Sequence, residues 1–235
     1  MKRLLAIIPA RGGSKRIPGK NIIDFCGRPL IAYSLEAARN SDLFSEIHVS
    51  TDDDTIALSV ADLGFPVPFM RSPELADDMT PLVPVLRWVL QEYERRGQSF
   101  DGVCLLMACA PLIEASDLVK GYEVFKSSEY QRPAISVARY PAPVEWAYSM
   151  RTDNQLEERQ PGMFSIRSQD IEPAFYDTGG FVFFPSRLLL DEVYQGGGTM
   201  TGIELPRHKA VDIDEPEDLE TAKAIFLGLK QIERN

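Results

Sequence analysis

Residues 9–21 read PARGGSKRIPGKN and directly follow a short apolar run, Leu4–Ile8. Four cations share this one loop, although the chain as a whole carries a formal net charge of -10. Such crowding costs electrostatic repulsion, which a bound polyphosphate would relieve, and the glycines let the backbone approach phosphate oxygens. We therefore predict a phosphate-binding loop, with a solvated basic turn as the alternative. The cations are Arg11, Lys15, Arg16 and Lys20.

The loop matches neither of the two common nucleotide-binding motifs. The GxxxxGK[ST] spacing of a Walker loop and the GxGxxG spacing of a dinucleotide fingerprint are both absent. Its place at the end of a predicted strand still favours ligand binding, because ligands of open α/β sheets bind at the carboxyl ends of the strands.

Short apolar runs alternate with longer segments of helical periodicity. The runs are typical of buried strands in a parallel sheet, and the longer segments place apolar residues at three- and four-residue intervals. The alternation predicts an α/β protein with a Rossmann-like three-layer α/β/α fold and a mainly parallel sheet. The predicted strands are Leu4–Ile8, Ile47–Val49, Val103–Met107 and Phe181–Phe184, and the predicted helices are Leu30–Ala38, Thr55–Leu63, Val83–Tyr93 and Leu118–Phe125.

Length and composition restrict the class of protein. A chain of 235 residues suits a single domain, 1–235. The acidic balance argues against a nucleic-acid backbone or an anionic membrane surface as the main partner. No apolar stretch approaches the roughly 20 residues of a membrane-spanning helix, and the start lacks a signal-peptide pattern, so we expect a cytoplasmic location. The odd set of cysteines, without CxxC spacing, predicts buried thiols: Cys26, Cys104 and Cys109.

The alternation of strands and helices breaks between residues 139 and 175. This stretch contains the segment YPAPV at 140–144, Trp146 and a polar run, Arg151–Gln160. We interpret it as an insertion whose aromatic residues form a subunit interface or a lid. A plain surface excursion is the alternative.

A pair of acidic residues lies near the C-terminal end, in the sequence AVDIDEPED at 210–218. Its alternation predicts a strand that places Asp212 and Asp214 on one face, about 7 Å apart. Carboxylates facing a triphosphate suit Mg²⁺, which takes few protein ligands. Asp214 has an alternative role as a helix N-cap, with Pro216 in the first turn and Glu217 closing a capping box.

The loop at 9–21, placed after a first strand, resembles the signature loop of the sialic-acid-type cytidylyltransferases, which synthesise CMP-activated nonulosonic acids. The resemblance implies that the loop wraps the triphosphate of CTP, with Arg11 and Lys20 on the phosphates and Asn21 on the nucleotide. The other residues assigned to this cradle are Ala10, Gly12, Gly13, Ser14 and Lys15.

Three further segments match the same family. The sequence VSTD at 49–52 is similar to a family segment, although Asp53 or Asp54 also suits an ordinary helix start. Arg71, in MRSPELAD, resembles a family arginine beside the cytosine and the α-phosphate. The pair Asp212 and Asp214 matches the metal-binding segment, which implies Mg²⁺ as the cofactor.

The segment LLMACAPL at 105–112 bears on the choice of sugar. Met107 stands where synthetases for sialic acid have a glutamine that contacts the sugar, and Ile113 stands where they have arginine. The apolar version resembles the branch that acts on pseudaminic acid. Asp177 and Gly180 are assigned to the same sugar pocket, and Gly180, where that branch more usually has glutamine, is expected to leave room for a different substituent. Further matching segments are 140–143, 146–147, 167–170 and 176–179.

The resemblance implies transfer of CMP from CTP to the anomeric C2 hydroxyl of a nonulosonic acid. It also implies a homodimer in which the insertion borders the neighbour's sugar pocket. Arg11, Lys20, Asp212 and Asp214 are the predicted catalytic residues, while neither histidine, His48 or His208, is an obvious base. The alternatives are activation of sialic, legionaminic or 3-deoxy-octulosonic acid and, more distantly, a nucleotide-binding module without turnover.

Overall fold

The computed structural model describes residues 2–77 and 79–233. In these ranges the strands are β1 (Leu4–Pro9), β2 (Asp24–Phe25), β3 (Arg28–Pro29), β4 (Glu46–Ser50), β5 (Gly102–Leu106), β6 (Ala134–Arg139), β7 (Tyr148–Met150), β8 (Leu156–Glu158), β9 (Phe175–Pro185) and β10 (Thr201–Glu204). The α-helices are α1 (Ile31–Asn40), α2 (Asp54–Asp62), α3 (Leu82–Arg95), α4 (Ala115–Ser127), α5 (Ser186–Leu190) and α6 (Pro216–Glu233).

Six strands form one mixed sheet in the order β10-β6-β9-β5-β1-β4. Strands β4, β1 and β5 run parallel to one another, as do β10 and β6, whereas β9 runs antiparallel to both of its neighbours. The mainly parallel sheet predicted from the sequence is thereby confirmed. Parallel strands leave their carboxyl ends at one edge, where the loops that carry ligands collect.

Helices cover both faces of the sheet, as the alternation along β1 requires. Ala6 and Ile8 pack into a cluster with residues of α1, α2 and α4, whereas Leu5 and Ile7 pack into a second cluster with α3 and α5. Side chains of a strand point alternately to its two faces, and here both sets are fully buried. The three-layer α/β/α arrangement follows from this double burial.

The four strands and four helices predicted from apolar runs and helical periodicity are present, and their ends shift by a few residues at most, with one exception. The exception is β9, which begins at Phe175, six residues before the predicted start at Phe181. Its early part pairs with β6, where Phe175 lies opposite Arg139. The strand predicted around Asp212 and Asp214 is wrong, because residues 210–215 pair with no strand of the described chain.

The stretch between β6 and β9 projects as an arm with its own hairpin, β7 paired with β8. All residues of both short strands are exposed. Trp146 donates its indole N–H to the carbonyl of Met163 at 2.9 Å, and this bond joins the 3₁₀ turn before the hairpin, Val144–Trp146, to the one after it, Met163–Ser165. The arm therefore has local structure but contributes no strand to the central sheet.

Two predictions from the sequence concern the cysteines and membrane-spanning helices. Cys104 and Cys109 are buried, and Cys26 is partly buried. None of the helices in the described ranges combines the length and apolar character needed to cross a membrane.

Candidate active site

A cavity of about 450 Å³ lies where β1 and β5 end. One side is cationic and comes from the loop 9–21, and the other side is apolar and comes from the start of α3 and the segment after β5. The combination suits a ligand with a charged part and a flat, less polar part. The lining residues are Pro9, Arg11, Ser14, Lys15, Arg16, Lys20, Asn21, Arg71, Leu75, Asp77, Thr80, Leu82, Val85, Met107, Ala108, Cys109 and Asp214.

Hydrogen bonds across the loop fix its shape. The buried Asn21 donates its side-chain N–H to the carbonyl of Arg11 at 3.0 Å. The Arg11 guanidinium donates to the carbonyl of Asp77 at 2.8 Å, and Lys20 Nζ donates to the carbonyl of Ile213 at 2.7 Å. The loop thus closes on itself and bonds to two distant segments that also border the cavity.

The acidic turn after β4 packs against the loop 9–21 at Gly12. Asp52 Oδ1 accepts the backbone N–H of Gly12 at 3.2 Å, and Asp53 caps α2 by accepting from the N–H groups of Thr55 and Ile56. A Cβ built on Gly12 would lie 2.4 Å from Asp53 Oδ2, so this close approach requires glycine. The predicted helix start at Asp53 is confirmed.

Arg71 is a buried cation at the cavity wall, with 5% of its surface exposed. Its Nε donates to Ser50 Oγ at 3.0 Å and its Nη2 to the Ser50 carbonyl at 2.5 Å. Burial lowers the pKa of Arg71, a shift that nearby Asp52 opposes. Hydrogen bonds within the protein therefore hold the guanidinium rigidly beside the loop.

The two carboxylates near the C-terminal end lie in different environments. Asp214 Oδ2 accepts from Arg16 Nη2 at 2.8 Å and Asp214 Oδ1 accepts from Lys20 Nζ at 3.2 Å. Burial acts to raise the pKa of Asp214, but these two hydrogen bonds outweigh it and hold the pKa below its ordinary value. The segment carrying Asp214 is therefore joined to the cationic loop by charge-assisted bonds.

The capping arrangement predicted for Asp214 is wrong in its partners. The backbone N–H groups of Asp214 and Glu215 both donate to Asp218 Oδ2, at 3.0 and 2.7 Å. Asp218 thus closes the capping box that was predicted for Glu217. The Asp214 side chain does not cap the helix and instead pairs with Arg16 and Lys20. This follows from the helix beginning at Pro216, which puts Asp218 in the third helical position.

Asp212 is exposed, yet the surrounding protein partly desolvates its carboxylate. This desolvation raises its pKa, the charge of Asp214 raises it further, and Lys20 opposes the shift. Within residues 2–77 and 79–233, no donor makes a hydrogen bond to this carboxylate. Gly179 packs against it, because a Cβ there would lie 2.8 Å from Asp212 Cγ, and Gly179 has a φ of 62°.

The residues assigned to sugar choice do not all face the cavity. Met107 lines it, and its backbone bonds to Gly180 and to Ser34 Oγ. Gly180 is buried, and a Cβ there would come within 3.1–3.2 Å of atoms of Ser136, Thr178 and Ile113. The expectation that Gly180 leaves room for a sugar substituent is therefore wrong, because this position points into packed protein.

The predicted residues fall into two groups in the structure. Those that line the cavity are Arg11, Ser14, Lys15, Lys20, Asn21, Arg71, Met107 and Asp214. Those that lie outside its lining are Ala10, Gly12, Gly13, Asp177, Gly180 and Asp212.

Several residues at the cavity or beside Asp212 were missed from the sequence. Leu82 and Val85 lie at the start of α3, where the helical pattern was recognised but not its position at the site. Gly179 was named only as the end of a matching segment, although its positive φ brings the chain against Asp212. The pattern TGG in front of an apolar run was the available signal for a strained glycine.

Neither histidine is among the residues that line the cavity. His48 is fully buried in β4, beside the hydroxyl of Tyr93 and the ring of Phe69. Burial, with the charges of Arg71 and Arg96, lowers the pKa of His48 to about 3. It is a neutral core residue at physiological pH.

A family model described as Cytidylyltransferase matches residues 5–231. The pseudaminic acid cytidylyltransferase of Campylobacter jejuni subsp. jejuni serotype O:23/36 (strain 81-176) is 38% identical over 222 residues, which cover 94% of this chain and 95% of that protein. The CMP-N,N'-diacetyllegionaminic acid synthase of Legionella pneumophila subsp. pneumophila (strain Philadelphia 1) is 30% identical over 223 residues, 92% of this chain and 93% of that one.

Among solved structures, a CMP:2-keto-3-deoxy-manno-octonic acid synthetase complexed with CTP has a TM-score of 0.72. It is 19% identical in sequence, and the match covers 96% of this chain and 99% of that one. This similarity confirms the fold. Taken with the family model, which spans nearly the whole sequence, and with the relatives of similar length, it leads to one conclusion: the chain belongs to the cytidylyltransferase family.

Proposed function

We propose that this chain transfers CMP from CTP to the anomeric C2 hydroxyl of a nonulosonic acid and that pseudaminic acid is its preferred acceptor. The proposal rests mainly on one observation: the cationic loop 9–21 and the segment that carries Asp214 border the same cavity, where Lys20 Nζ lies 3.2 Å from Asp214 Oδ1. Similarity to the pseudaminic acid cytidylyltransferase of C. jejuni supports the choice of acceptor.

The reaction is an in-line displacement at the α-phosphorus of CTP. The C2 oxygen of the sugar forms a new bond to phosphorus, the bond to the β-phosphate oxygen breaks, and pyrophosphate leaves with the electron pair. Arg11, Lys20 and Arg71 stabilise charge on the phosphates, and the hydroxyl proton is lost to solvent. Catalysis then comes mainly from positioning and charge stabilisation.

Asp212 and Asp214 are the residues that would hold Mg²⁺. Their fit rests on the donor set: two hard carboxylates, with the charges of Asp177 and Asp218 also acting on Asp212. Within the described residues no group of three or more His, Cys, Asp or Glu side chains is placed to hold a metal ion, so the proposed site depends on these two carboxylates. When bound, the ion supplies a positive charge beside the reacting phosphate and hydroxyl oxygens.

We further propose that the chain is one catalytic domain whose insertion at 139–175 forms a homodimer. The insertion presents an apolar surface, and a second copy of the chain is the partner that would cover it symmetrically. A cytoplasmic location would supply the CTP. The exposed residues, here called the arm surface, are Tyr140, Tyr148, Met150, Leu156, Phe164, Ile166 and Phe175.

The test is pyrophosphate release from CTP and Mg²⁺ with pseudaminic, legionaminic and N-acetylneuraminic acids in parallel. Asp212→Ala provides the blank. Selective release with pseudaminic acid supports both reaction and acceptor. Release with another acid would support the proposed reaction but identify that acid as the acceptor. No release with any acid, while CTP still binds, would favour a nucleotide-binding module.

A further inference from the structure

We infer that Lys209 is a positioning residue, whose ammonium group fixes the Asp212–Asp214 segment to the start of α4. The inference rests on the proposed function, because it takes these two carboxylates as the metal-binding pair. Lys209 lies three residues before Asp212, in the 3₁₀ turn Arg207–Lys209 that leads into the segment.

The segment needs such an anchor because it has no strand partner. Residues 210–215 pair with no strand in the described chain, so a sheet ladder does not fix their position. Ile213 is fully buried, but apolar packing alone is non-directional. Hydrogen bonds are needed to fix the orientation of the segment. Two of them are the bond from Lys20 Nζ to the Ile213 carbonyl and the bond from the Asp214 backbone N–H to Asp218 Oδ2.

Lys209 provides the fixed point at the other end. Its Nζ lies 2.6 Å from Asp117 Oδ2 and 2.8 Å from Glu114 Oε2. The side chains of Lys209 and Asp117 are 11% and 10% exposed, so water screens this pair much less than a surface pair. Burial acts to lower the pKa of Lys209, but the hydrogen bonds to Asp117 and Glu114 outweigh it, so the group stays charged.

The acceptor side is itself rigid. Asp117 Oδ2 also accepts the backbone N–H of Glu114 at 2.9 Å, which completes the capping box of α4. This helix start follows directly on the segment from Met107 to Ile113, whose first residues line the cavity. Lys209 therefore joins the segment that carries the apolar wall to the segment that carries the carboxylates.

The experiment compares the affinity of the full-length protein for CTP in EDTA with its affinity for CTP in saturating Mn²⁺. The affinity in Mn²⁺ divided by the affinity in EDTA, here called the metal gain, reports the contribution of the carboxylates. The metal gain of Asp212→Ala gives the lower limit of this ratio. We expect Lys209→Met to reduce the metal gain by roughly ten-fold, a loss of the size found when a group that orients metal ligands is removed. The affinity in EDTA should change by less than about two-fold, since the phosphate loop has its own bonds, and Lys209→Arg should restore most of the gain.

Two controls separate positioning from stability and from charge. Lys126→Met removes an exposed ion pair with Glu123 on the same helix and should leave the metal gain unchanged. Lys209→Met combined with Asp117→Asn removes one charge of each sign, avoids an unpaired buried carboxylate and keeps a capping oxygen. If this double variant folds with a normal melting temperature and still lacks the metal gain, the positioning role is supported.

Two results would overturn the inference. One is a wild-type metal gain in Lys209→Met, and the other is full restoration of the gain in the double variant, which would mean that Lys209 acts through charge alone. If the wild-type protein itself shows no more gain than Asp212→Ala, the proposed metal site fails first, and the positioning role fails with it.

Discussion

Arg16 Nη2 lies 2.8 Å from Asp214 Oδ2, so a cation of the loop at 9–21 pairs with a carboxylate that is proposed to bind metal. The other oxygen of Asp214 accepts from Lys20, and Arg16 also reaches Glu215 at 3.1 Å. In this arrangement the cations of the loop and these carboxylates neutralise each other. Under the proposed function, we expect nucleotide binding to exchange these partners, because phosphates would attract the cations and leave Asp214 to the metal.

Replacing Arg16 should loosen this arrangement. We expect Arg16→Gln to increase the Mn²⁺ affinity of the nucleotide-free protein by roughly two- to five-fold, the range of an exposed ion pair, and to weaken CTP binding in EDTA by several-fold. Titration with Mn²⁺, with and without CTP, measures both effects. Arg28→Gln is the control, since it breaks a comparable exposed pair with Glu36. Unchanged metal affinity in Arg16→Gln would contradict the exchange.

Asp212 and Asp214 should affect stability with opposite signs. The folded-state pKa of Asp212 is raised, so its stabilising contribution is present below the ordinary aspartate pKa and is lost as pH rises through the folded value. Asp212→Asn should therefore raise the melting temperature at pH 7 by roughly 1–2 °C and give no increase near about pH 3, while pyrophosphate release is abolished.

For Asp214 the pKa is lowered, and its contribution is present above the ordinary value and lost as pH falls through the folded one. Asp214→Asn should lower the melting temperature at pH 7. Thermal denaturation at both pH values checks the pair of variants. A decrease for both at pH 7 would show that Asp212 is not destabilised by its surroundings.

Gly179 should be required for activity beyond its contribution to stability. Gly179→Ala places a Cβ 2.8 Å from Asp212 Cγ and forces alanine to a φ of 62°, so we expect a loss of roughly 1–2 kcal/mol in unfolding free energy and more than about ten-fold in kcat/KM. Gly162→Ala has a φ of 85° with no atom within 4 Å of the Cβ. It should show similar strain with normal kcat/KM, and equal losses in both variants would argue against a role at Asp212.

The arm surface should hold the proposed dimer together. Met150→Asp introduces a charge in this surface, and we expect it to shift the protein from dimer to monomer at micromolar concentration in sedimentation velocity. Leu58→Asp on α2 is matched in exposure, because both side chains are 69% exposed, and should leave the dimer intact. A wild-type protein that sediments as a monomer would refute the assembly.

Local patterns were sufficient for most of the fold. The runs at β1, β4 and β5 and the periodicity of α1 to α4 reflect burial on both faces of a sheet or on one face of a helix, which local sequence records. The early part of β9 was missed because YDTGG, at 176–180, has the composition of a turn. Its strand pairing comes from β6, some 40 residues away, and no local pattern contains that information.

The site was predicted in its residue types and less well in its geometry. The loop at 9–21 was recognised because its charges are adjacent in sequence, but the partner Glu215 of Arg16 lies 199 positions further on. The alternation around Ile213 predicted a strand, whereas in the described chain this segment pairs with no strand and Ile213 packs into a cluster with Leu219. For Gly180, sequence does not tell which way a Cβ would point.

The arm leaves and rejoins the sheet through neighbouring strands, with Arg139 opposite Phe175. Its two ends are therefore one strand spacing apart, about 4.8 Å, a gap that an ordinary hairpin turn also closes. Evolution can lengthen, shorten or rewrite the 35 residues between them without altering the register of any sheet strand. The proposed subunit interface and the proposed nucleotide site could then diversify independently, because they lie on separate parts of one scaffold.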